Sequence, residues 1–292
     1  MSYARTLVFT ALALMAFAGN SLLCRAALAH TQVDAASFAT IRLLSGALML
    51  SALVRIRGGS RLGRGNWLSA LALFAYAAGF SFSYLQLTAA AGALLLFGAV
   101  QTTMIGYGLW SGERMRALQV LGLVLACGGL VGLMLPGLSA PPLEGALLML
   151  GAGVAWGVYS LRGRGAGDPL QVTAGNFVRA APMAALLSLA LLDRASFDPA
   201  GARYAVLSGA LASGVGYALW YTVLPLLAST TAATLQLSVP VIAALGSVFF
   251  LGEALSLRLL ISSVAIIGGV AFVVLVGQRK GGPDPSTPAG RP

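Results

Sequence analysis

Charged side chains are scarce in this chain, and their scarcity excludes most soluble folds. Only 9% of the 292 residues are Asp, Glu, Lys or Arg, whereas 58% are hydrophobic. Soluble domains carry about 25% charged residues, so this composition cannot cover a surface that faces water. It suits a chain whose outer surface faces lipid, because apolar runs of about 17–25 residues can cross a bilayer as helices.

Acidic residues, histidine and cysteine are scarcer still. Both cysteines, Cys24 and Cys127, lie inside apolar runs, which argues against a disulfide framework. The one histidine, His30, lies in a predicted external loop, and none of the eight acidic residues falls in the middle of an apolar run. Paired carboxylates and metal-ligand clusters are not visible in the sequence, so we expect no enzyme active site, no metal and no cofactor.

A repeat is the most informative feature that the sequence does contain. Residues 84–135 and 224–275 align without a gap at an offset of 140. Both copies hold a Gly-Glu pair followed by a long apolar run with Gly-Gly in its middle. The matched positions are Gly112 and Glu113 with Gly252 and Glu253, and Gly128 and Gly129 with Gly268 and Gly269.

Ten apolar runs divide evenly between the two halves of the chain. An odd number of spans in each half makes the second half enter the membrane from the opposite side. The sequence therefore predicts an all-α integral membrane protein with ten transmembrane helices in a five-plus-five inverted-topology repeat, a construction found in many secondary transporters. Residues 279–292 are rich in proline and glycine and are predicted to form a disordered tail. The predicted spans are roughly 6–26, 36–54, 67–84, 88–110, 116–135, 143–161, 170–192, 203–221, 228–250 and 257–277.

The basic residues predict the orientation of these spans. The net charge is +10, but the arginines are scattered between apolar runs, which argues against nucleic-acid binding. Twelve basic residues fall on one side of the spans and four on the other. Since cytoplasmic loops carry the excess of Lys and Arg, both termini are expected in the cytoplasm.

Two arginines, Arg42 and Arg179, fall within predicted spans and correspond to each other in the repeat once a short gap is allowed. A guanidinium at that depth costs about 2.5–3.5 kcal/mol on insertion scales, so it should face a cavity or a partner. One interpretation is contact with an anionic group of a substrate, such as a carboxylate. The alternative is that each arginine reaches an interface or caps helix carbonyls.

Polar and aromatic side chains within the spans are the other candidates for a binding site. Buried amides need partners or water, and they tend to line cavities. Tyr84, Trp110, Trp220 and Tyr221 are instead expected in the interfacial aromatic belts. With the two arginines, the candidate cavity residues are Asn20, Arg42, Tyr76, Gln101, Trp156, Tyr159, Asn176, Arg179, Tyr217 and Gln236.

The Gly-Glu pairs are interpreted as structural. Glu113 and Glu253 are expected to start the helix that follows each of them, where a carboxylate meets the positive end of the helix dipole. Gly112 and Gly252 would permit the tight turn before that helix. Gly128 with Gly132, and Gly153 with Gly157, have the spacing for close helix contact. The Gly128–Gly129 and Gly268–Gly269 pairs are interpreted as a structural motif of the repeat.

Ten short spans, the inverted repeat and the paired Gly-Glu and Gly-Gly motifs resemble the drug/metabolite transporter superfamily, specifically its EamA type. The resemblance covers nearly the whole chain, with one EamA-like repeat at residues 6–135 and a second at 143–276. It implies that helices 1–4 and 6–9 surround a central cavity, with helices 5 and 10 at the periphery. It also implies a place in a bacterial inner membrane and export of amino acids, other metabolites or drug-like solutes.

We expect an exporter of small amphipathic metabolites, with amino acids first and aromatic ones included, that works by alternating access. The alternative is a multidrug or quaternary-amine efflux transporter, which would be expected to hold a buried carboxylate. The expected partners are a small-molecule substrate and the lipid bilayer, with the protein a monomer or weak dimer. Because no carboxylate lies within a span, we expect facilitated rather than proton-driven movement.

Overall fold

The computed structural model describes residues 2–58, 65–112, 116–137, 140–163, 166–227, 232 and 235–278, and within these ranges the regular structure is entirely helical. The eighth helix, Pro199–Leu226, is one continuous run whose middle, Leu207–Val215, is π-helical and whose last turn, Leu224–Leu226, is a 3-10 turn. The described helices are α1 Tyr3–His30, α2 Ala35–Ile56, α3 Trp67–Ser83, α4 Ala89–Trp110, α5 Ala117–Met134, α6 Leu143–Gly163, α7 Pro169–Ala190, α8 Pro199–Leu226, α9 Ser238–Leu251 and α10 Leu257–Gln278.

Short polar side chains begin several of these helices. Asp34, Asp168 and Asp198 accept hydrogen bonds from the first backbone N–H groups of α2, α7 and α8, and Asn66 and Thr88 do the same for α3 and α4. Such caps satisfy amide groups that have no partner within the helix. Three of the few acidic residues are thus used at helix N-termini between the apolar segments.

Among the described residues, eight of the ten helices are long and apolar enough to cross a membrane, judged by length and composition. The other two, α3 and α9, are apolar but shorter, with 17 and 14 residues. The predicted ninth span begins at residue 228, whereas α9 begins at Ser238, and residues 228–231 and 233–234 lie outside the described part. Large apolar side chains such as Leu48, Phe250 and Val264 are more than 70% exposed, as expected of a surface that faces lipid.

Contacts between helix termini define two ends of the molecule. At the first, here called the Arg25 end, Arg25 near the end of α1 contacts Tyr84 just after α3, and Gln86 contacts Glu144 at the start of α6. At the opposite end, the Arg57 end, Arg57 after α2 contacts Thr222 of α8 and Arg162 of α6 contacts Asn66. Since α1 ends where α6 begins, the two helices run in opposite directions.

The most extensive helix contacts recur when each helix is exchanged with the helix five places along. The pairs α2–α7, α4–α9 and α5–α10 map onto themselves. The pair α3–α6 has its counterpart in α1–α8, α4–α6 in α1–α9, and α2–α8 in α3–α7. Helices α5 and α10 pack chiefly on each other, which leaves the remaining helices to form the centre.

Glycine makes the α5–α10 contact close. A Cβ on Gly129 would come within 2.9 Å of the side chains of Ala265 and Ile266, and one on Gly269 within 2.7 Å of the α5 backbone. Gly128 and Gly268, the first members of the two Gly-Gly pairs, meet no neighbour within 4 Å. Only the second glycine of each pair therefore serves the helix contact.

The π-helical part of α8 packs against α2. A Cβ on Gly209 would collide with the carbonyl oxygen of Arg42, and one on Gly214 would lie 2.7 Å from the side chain of Met49. Each π-helical turn carries one extra residue, which changes the direction of the side chains that follow it. The close contact fixes α8 beside the turn of α2 that holds Arg42.

Candidate functional site

A cavity of about 660 Å³ lies in the centre of the molecule. Helices α1, α3, α4, α6, α7 and α8 contribute most of its lining, together with residues just before α9. Its lining extends to Gly163, Pro169 and Leu227 at the Arg57 end, whereas towards the Arg25 end it stops at Ser21 and Phe80. The cavity therefore reaches one end of the molecule, and its size is that of a site for a small molecule.

Aromatic rings form one wall of this cavity. The Trp156 ring stacks on Tyr217 with 5.5 Å between centroids and on Tyr159 with 5.1 Å, and it contacts Tyr76 at 4.8 Å in a tilted arrangement. Tyr217 stacks in turn on Tyr221 at 6.2 Å. Stacked and tilted rings at these separations attract each other beyond simple area burial. The wall offers flat apolar faces to a ligand.

Uncharged polar groups make up the rest of the polar lining. They come from amides such as Gln101, Asn176 and Gln236 and from hydroxyls such as Thr173 and Ser213. None of the lining residues in the described part of the chain is Asp, Glu, His, Lys or Arg. The described lining therefore offers hydrogen-bonding groups and aromatic faces, and its described residues offer no charged group for a direct ion pair.

Arg42 lies behind the cavity wall. Its side chain is 1% exposed, and its Nη2 donates to the hydroxyl oxygen of Tyr76 at 2.9 Å. The guanidinium carbon lies 5.1 Å from the centroid of the Tyr76 ring and 4.7 Å from that of Phe80. Within the described residues, its Nε and Nη1 have no hydrogen-bond partner. The charge is stabilised by aromatic faces instead of by a carboxylate.

Eight of the ten candidate residues line the cavity. Arg42 lies behind two lining residues, Tyr76 and Phe80, and Arg179 is not among the lining residues at all. Half-buried Arg179 donates from Nη1 to the carbonyl of Gly175 at 2.8 Å, one turn earlier in its own helix. The two arginines that match in sequence therefore differ in place, and Arg179 fits the helix-capping interpretation. The eight lining candidates are Asn20, Tyr76, Gln101, Trp156, Tyr159, Asn176, Tyr217 and Gln236.

Two aromatic residues were placed wrongly by sequence reasoning. Trp220 and Tyr221 were expected in an interfacial belt, but both line the cavity. Their spacing from Tyr217, three and four residues, puts all three rings on one face of α8, and that spacing could have identified them. Tyr84, also assigned to a belt, is fully buried, whereas Trp110 is 85% exposed as a belt residue should be.

The Arg25 end is held together by a second group of polar contacts. Nε of Arg25 donates to Oε1 of Glu253 at 2.9 Å, and the other carboxylate oxygen accepts from the backbone N–H of Ala89 at 2.8 Å. Glu253 does serve a helix N-terminus, but that of α4, whereas we expected it to start α10. Gly252 has a φ of +64°, as its predicted turn requires, and Gly112 has a φ of +94°. Glu113 lies outside the described residues.

The loops before α2 and α8 are paired at the same end. Oδ2 of Asp34 accepts from the backbone N–H of Ser196 at 3.0 Å, and Oδ2 of Asp198 accepts from that of Gln32 at 3.0 Å. Each aspartate also caps its own helix with its other oxygen. One loop from each half of the chain is thus hydrogen-bonded to the other, beyond the end of the cavity lined by Ser21 and Phe80.

Comparison with known proteins decides the family. A profile described as the EamA-like transporter family matches residues 143–275. The chain is 57% identical over 271 residues to the uncharacterized protein PA1977 of Pseudomonas aeruginosa, an alignment that covers 92% of this chain and 94% of that protein. It is 35% identical over 173 residues to the threonine/homoserine exporter RhtA of Salmonella typhimurium. This chain belongs to the EamA-type drug/metabolite transporters.

The similarity to RhtA is partial, since the alignment covers 56% of this chain and 57% of the exporter. The Escherichia coli exporter matches over the same share with 34% identity. A crystal structure of a protein aligns with a TM-score of 0.65 over 95% of this chain and 100% of its own, at 20% identity, and so supports the fold alone. As an EamA-type transporter, the protein is embedded in a lipid bilayer, carries small molecules and is not an enzyme.

Proposed function

We propose that this EamA-type transporter exports small amphipathic metabolites, amino acids first, across a bacterial inner membrane. The observation that carries the proposal is the central cavity, which joins a wall of stacked aromatic rings to amides and hydroxyls, with no charged side chain among its described lining residues. An amino acid is zwitterionic, with polar groups at one end and a side chain at the other. Aromatic faces suit that side chain, and hydrogen-bonding groups suit the polar end.

Five helices in each half, arranged as an inverted repeat, are the proposed basis of alternating access. The helix contacts that recur when each helix is exchanged with the helix five places along support this arrangement. The opposite directions of α1 and α6 support it as well. Rocking of one repeat, residues 6–135, against the other, 143–276, would expose the central site to each side in turn.

The Arg57 end is proposed to face the cytoplasm, with both termini on that side. The basic residues support this orientation by twelve to four in the sequence. The cavity reaches that end, whereas loop pairing and the Arg25–Glu253 ion pair join helices at the other. This arrangement corresponds to an inward-facing state, ready to take a solute from the cytoplasm. That is the state in which an exporter must load.

Efflux from proteoliposomes tests the proposal. Amino acids that include L-threonine and L-phenylalanine would be loaded, and efflux compared with that from protein-free liposomes. Ser160→Trp fills the cavity towards the Arg57 end, whereas Val264→Trp adds the same ring to a 75% exposed position on α10. Saturable efflux, with competition between amino acids, that Ser160→Trp abolishes and Val264→Trp preserves would support the proposal.

A quaternary-amine transporter is the second candidate, because the faces of Trp156, Tyr159 and Tyr217 could hold a cation. The charge of Arg42 behind the same wall opposes a cationic ligand. Efflux of tetraethylammonium, with no efflux of any amino acid, would decide for this second candidate and against the first.

A further inference from the structure

The hydroxyl of Tyr76 has an unusual set of neighbours. Its oxygen accepts from Nη2 of Arg42 at 2.9 Å and from Nδ2 of Asn20 at 3.2 Å. The amide of Asn20 is held in turn, since Ser208 on the π-helical part of α8 donates to its Oδ1 at 2.6 Å. Four side chains from α1, α2, α3 and α8 thus form one buried network that converges on a single phenolic oxygen.

The hydroxyl proton of Tyr76 has no acceptor among the described protein groups. A phenolic oxygen has two lone pairs and one hydrogen to donate. Arg42 and Asn20 occupy both acceptor positions of Tyr76, and within the described residues its O–H donates to no protein group. Tyr76 lines the cavity, and contact with Trp156 at 4.8 Å between centroids holds its ring against the aromatic wall.

The charge of Arg42 makes this proton a strong donor. The guanidinium has no carboxylate neighbour among the described residues, and in a buried site its field is weakly screened. A donor that is polarised by a hydrogen bond from a cation binds an anionic acceptor more tightly than an isolated hydroxyl does. Because Arg42 is 1% exposed, a ligand in the cavity does not touch it directly. Of the lining residues Tyr76 and Phe80, which both contact its guanidinium, Tyr76 is the one that carries a hydrogen-bonding group.

We propose that the Tyr76 hydroxyl receives the carboxylate of the transported solute and that Arg42 is a positioning residue acting through it. The inference rests on the proposed function and deepens it, since it assigns the atom that selects for an anionic group. Asn20 and Ser208 orient the hydroxyl, and the aromatic wall accommodates the remainder of the solute.

Binding of matched ligands to the full-length protein tests this assignment. The probes are L-threonine and L-phenylalanine, each paired with the amino alcohol in which CH2OH replaces the carboxylate. Tyr76→Phe keeps the ring and removes the hydroxyl, and it is expected to weaken binding of both amino acids about tenfold or more. Binding of the amino alcohols is expected to change less than about threefold, because an alcohol is a weaker acceptor.

Tyr159→Phe is the control for loss of a hydroxyl from the same aromatic wall. The Tyr159 hydroxyl donates to Thr173 at 3.4 Å, so it already has a protein partner. This variant should leave the ratio of amino-acid to amino-alcohol affinity unchanged. Equal losses for acid and alcohol in Tyr76→Phe, or no loss for either, would overturn the assignment while leaving amino-acid export intact. A wild-type protein that binds neither amino acid would overturn both proposals.

A double-mutant cycle tests the positioning role of Arg42. Arg42→Met should lower the ratio of amino-acid to amino-alcohol affinity in the wild-type background and leave it unchanged when Phe replaces Tyr76. A purely structural loss would instead affect acid and alcohol alike. An equal effect of Arg42→Met on the ratio in both backgrounds would show that Arg42 does not act through Tyr76.

Discussion

Arg25 of α1 and Glu253 of the α9–α10 connection form an ion pair, with 2.9 Å between Nε and Oε1. The side chains are 20% and 11% exposed, so water screens the pair only in part. Arg25 also donates to the carbonyl of Tyr84, and Glu253 accepts from the amide of Ala89. The pair therefore joins α1, α3, α4 and α9 at the end of the molecule that the cavity does not reach.

Removing the charge of Glu253 should open this end. Hydrogen bonds to charged groups contribute about 1.5–3 kcal/mol, so Glu253→Gln is expected to raise the population open at the Arg25 end about tenfold or more. The measurement is labelling of Ser213→Cys, a cavity position, by an impermeant thiol reagent added outside proteoliposomes. Cys24→Ala and Cys127→Ala remove the native thiols from the background.

Glu144→Gln is the control, because Glu144 accepts from Gln86 at the same end and is exposed. It loses the same charge without breaking a contact to an arginine, and its labelling rate should equal that of the parent. Equal labelling in Glu253→Gln and the parent would contradict a role of the ion pair in closing this end.

The stability of the hydrogen-bonded pairing between the loops before α2 and α8, at the same end, should depend on pH. The backbone N–H of Gln32, followed by that of Ala200, holds the pKa of Asp198 below its ordinary value. Because the pKa is lowered, ionised Asp198 stabilises the loop pairing fully at pH values above the ordinary aspartate pKa of about 3.9. This stabilisation is lost as the pH falls through the lowered pKa of Asp198. Hydrogen exchange of peptides covering Gln32, corrected for intrinsic rates, should show protection at about pH 5 and less at about pH 2.5.

Asp198→Ala should remove this protection at both pH values. The variant also loses a helix cap, so a peptide from the centre of α5 serves as a reference for general stability. Protection near Gln32 that is independent of pH and unchanged in Asp198→Ala would show that the aspartate does not hold the loops together.

The sequence identified the membrane transporter class because apolar segments and short motifs depend on local chemistry, whereas the two-repeat division and the binding role of the cavity residues stay predictions. Amides and aromatic rings inside apolar segments need polar or aromatic neighbours, and eight such residues meet around one cavity. The helix termini were also predictable within a few residues where an aspartate caps them, as at Asp34 and Asp198. The π-helical part of α8 was not, because extra residues per turn leave no distinct pattern in an apolar run.

Arg42 and Arg179 correspond in the sequence alignment of the two halves, but their side chains make different contacts, which a sequence repeat cannot predict. Matched positions share a place along the helix, but the rotation of that helix and its neighbours decide what the side chain meets. Arg42 meets Tyr76 and Phe80, whereas Arg179 turns back to a carbonyl of its own helix. Long-range contacts such as that of Glu253 with Ala89 are likewise not encoded in local sequence.

The different contacts of the two arginine side chains predict different effects of their mutation on efflux. Arg179→Ala should change amino-acid efflux less than about twofold, because it removes only a contact within one helix. Arg42→Ala should lower efflux about tenfold or more, because it removes a charged hydrogen bond to a cavity residue. Efflux rates per mole of reconstituted protein measure both. Equal losses at the two positions would favour symmetric roles for the arginines.

Trp156 should control selectivity for large apolar side chains. It lies at the centre of the stacked wall, and aromatic contacts contribute about 0.5–1.5 kcal/mol beyond area burial. Trp156→Ala is therefore expected to raise the KM for L-phenylalanine about three- to tenfold more than that for L-threonine. Trp110→Ala, at a position 85% exposed, should change neither KM. Equal increases for both amino acids would show that the ring shapes the cavity without contacting the side chain.

The absence of carboxylates and histidine from the described cavity lining predicts how transport responds to a proton gradient. Proton-coupled carriers usually hold a carboxylate or histidine within the membrane, and neither occurs among the described lining residues. Amino-acid efflux should therefore follow the solute gradient and change less than about twofold when the inside of the liposome is made one pH unit more acidic or alkaline than the outside. Gramicidin, which dissipates the proton gradient, provides the control for each direction. Net accumulation of an amino acid against its own gradient, abolished by gramicidin, would show that coupling uses a group outside the described lining.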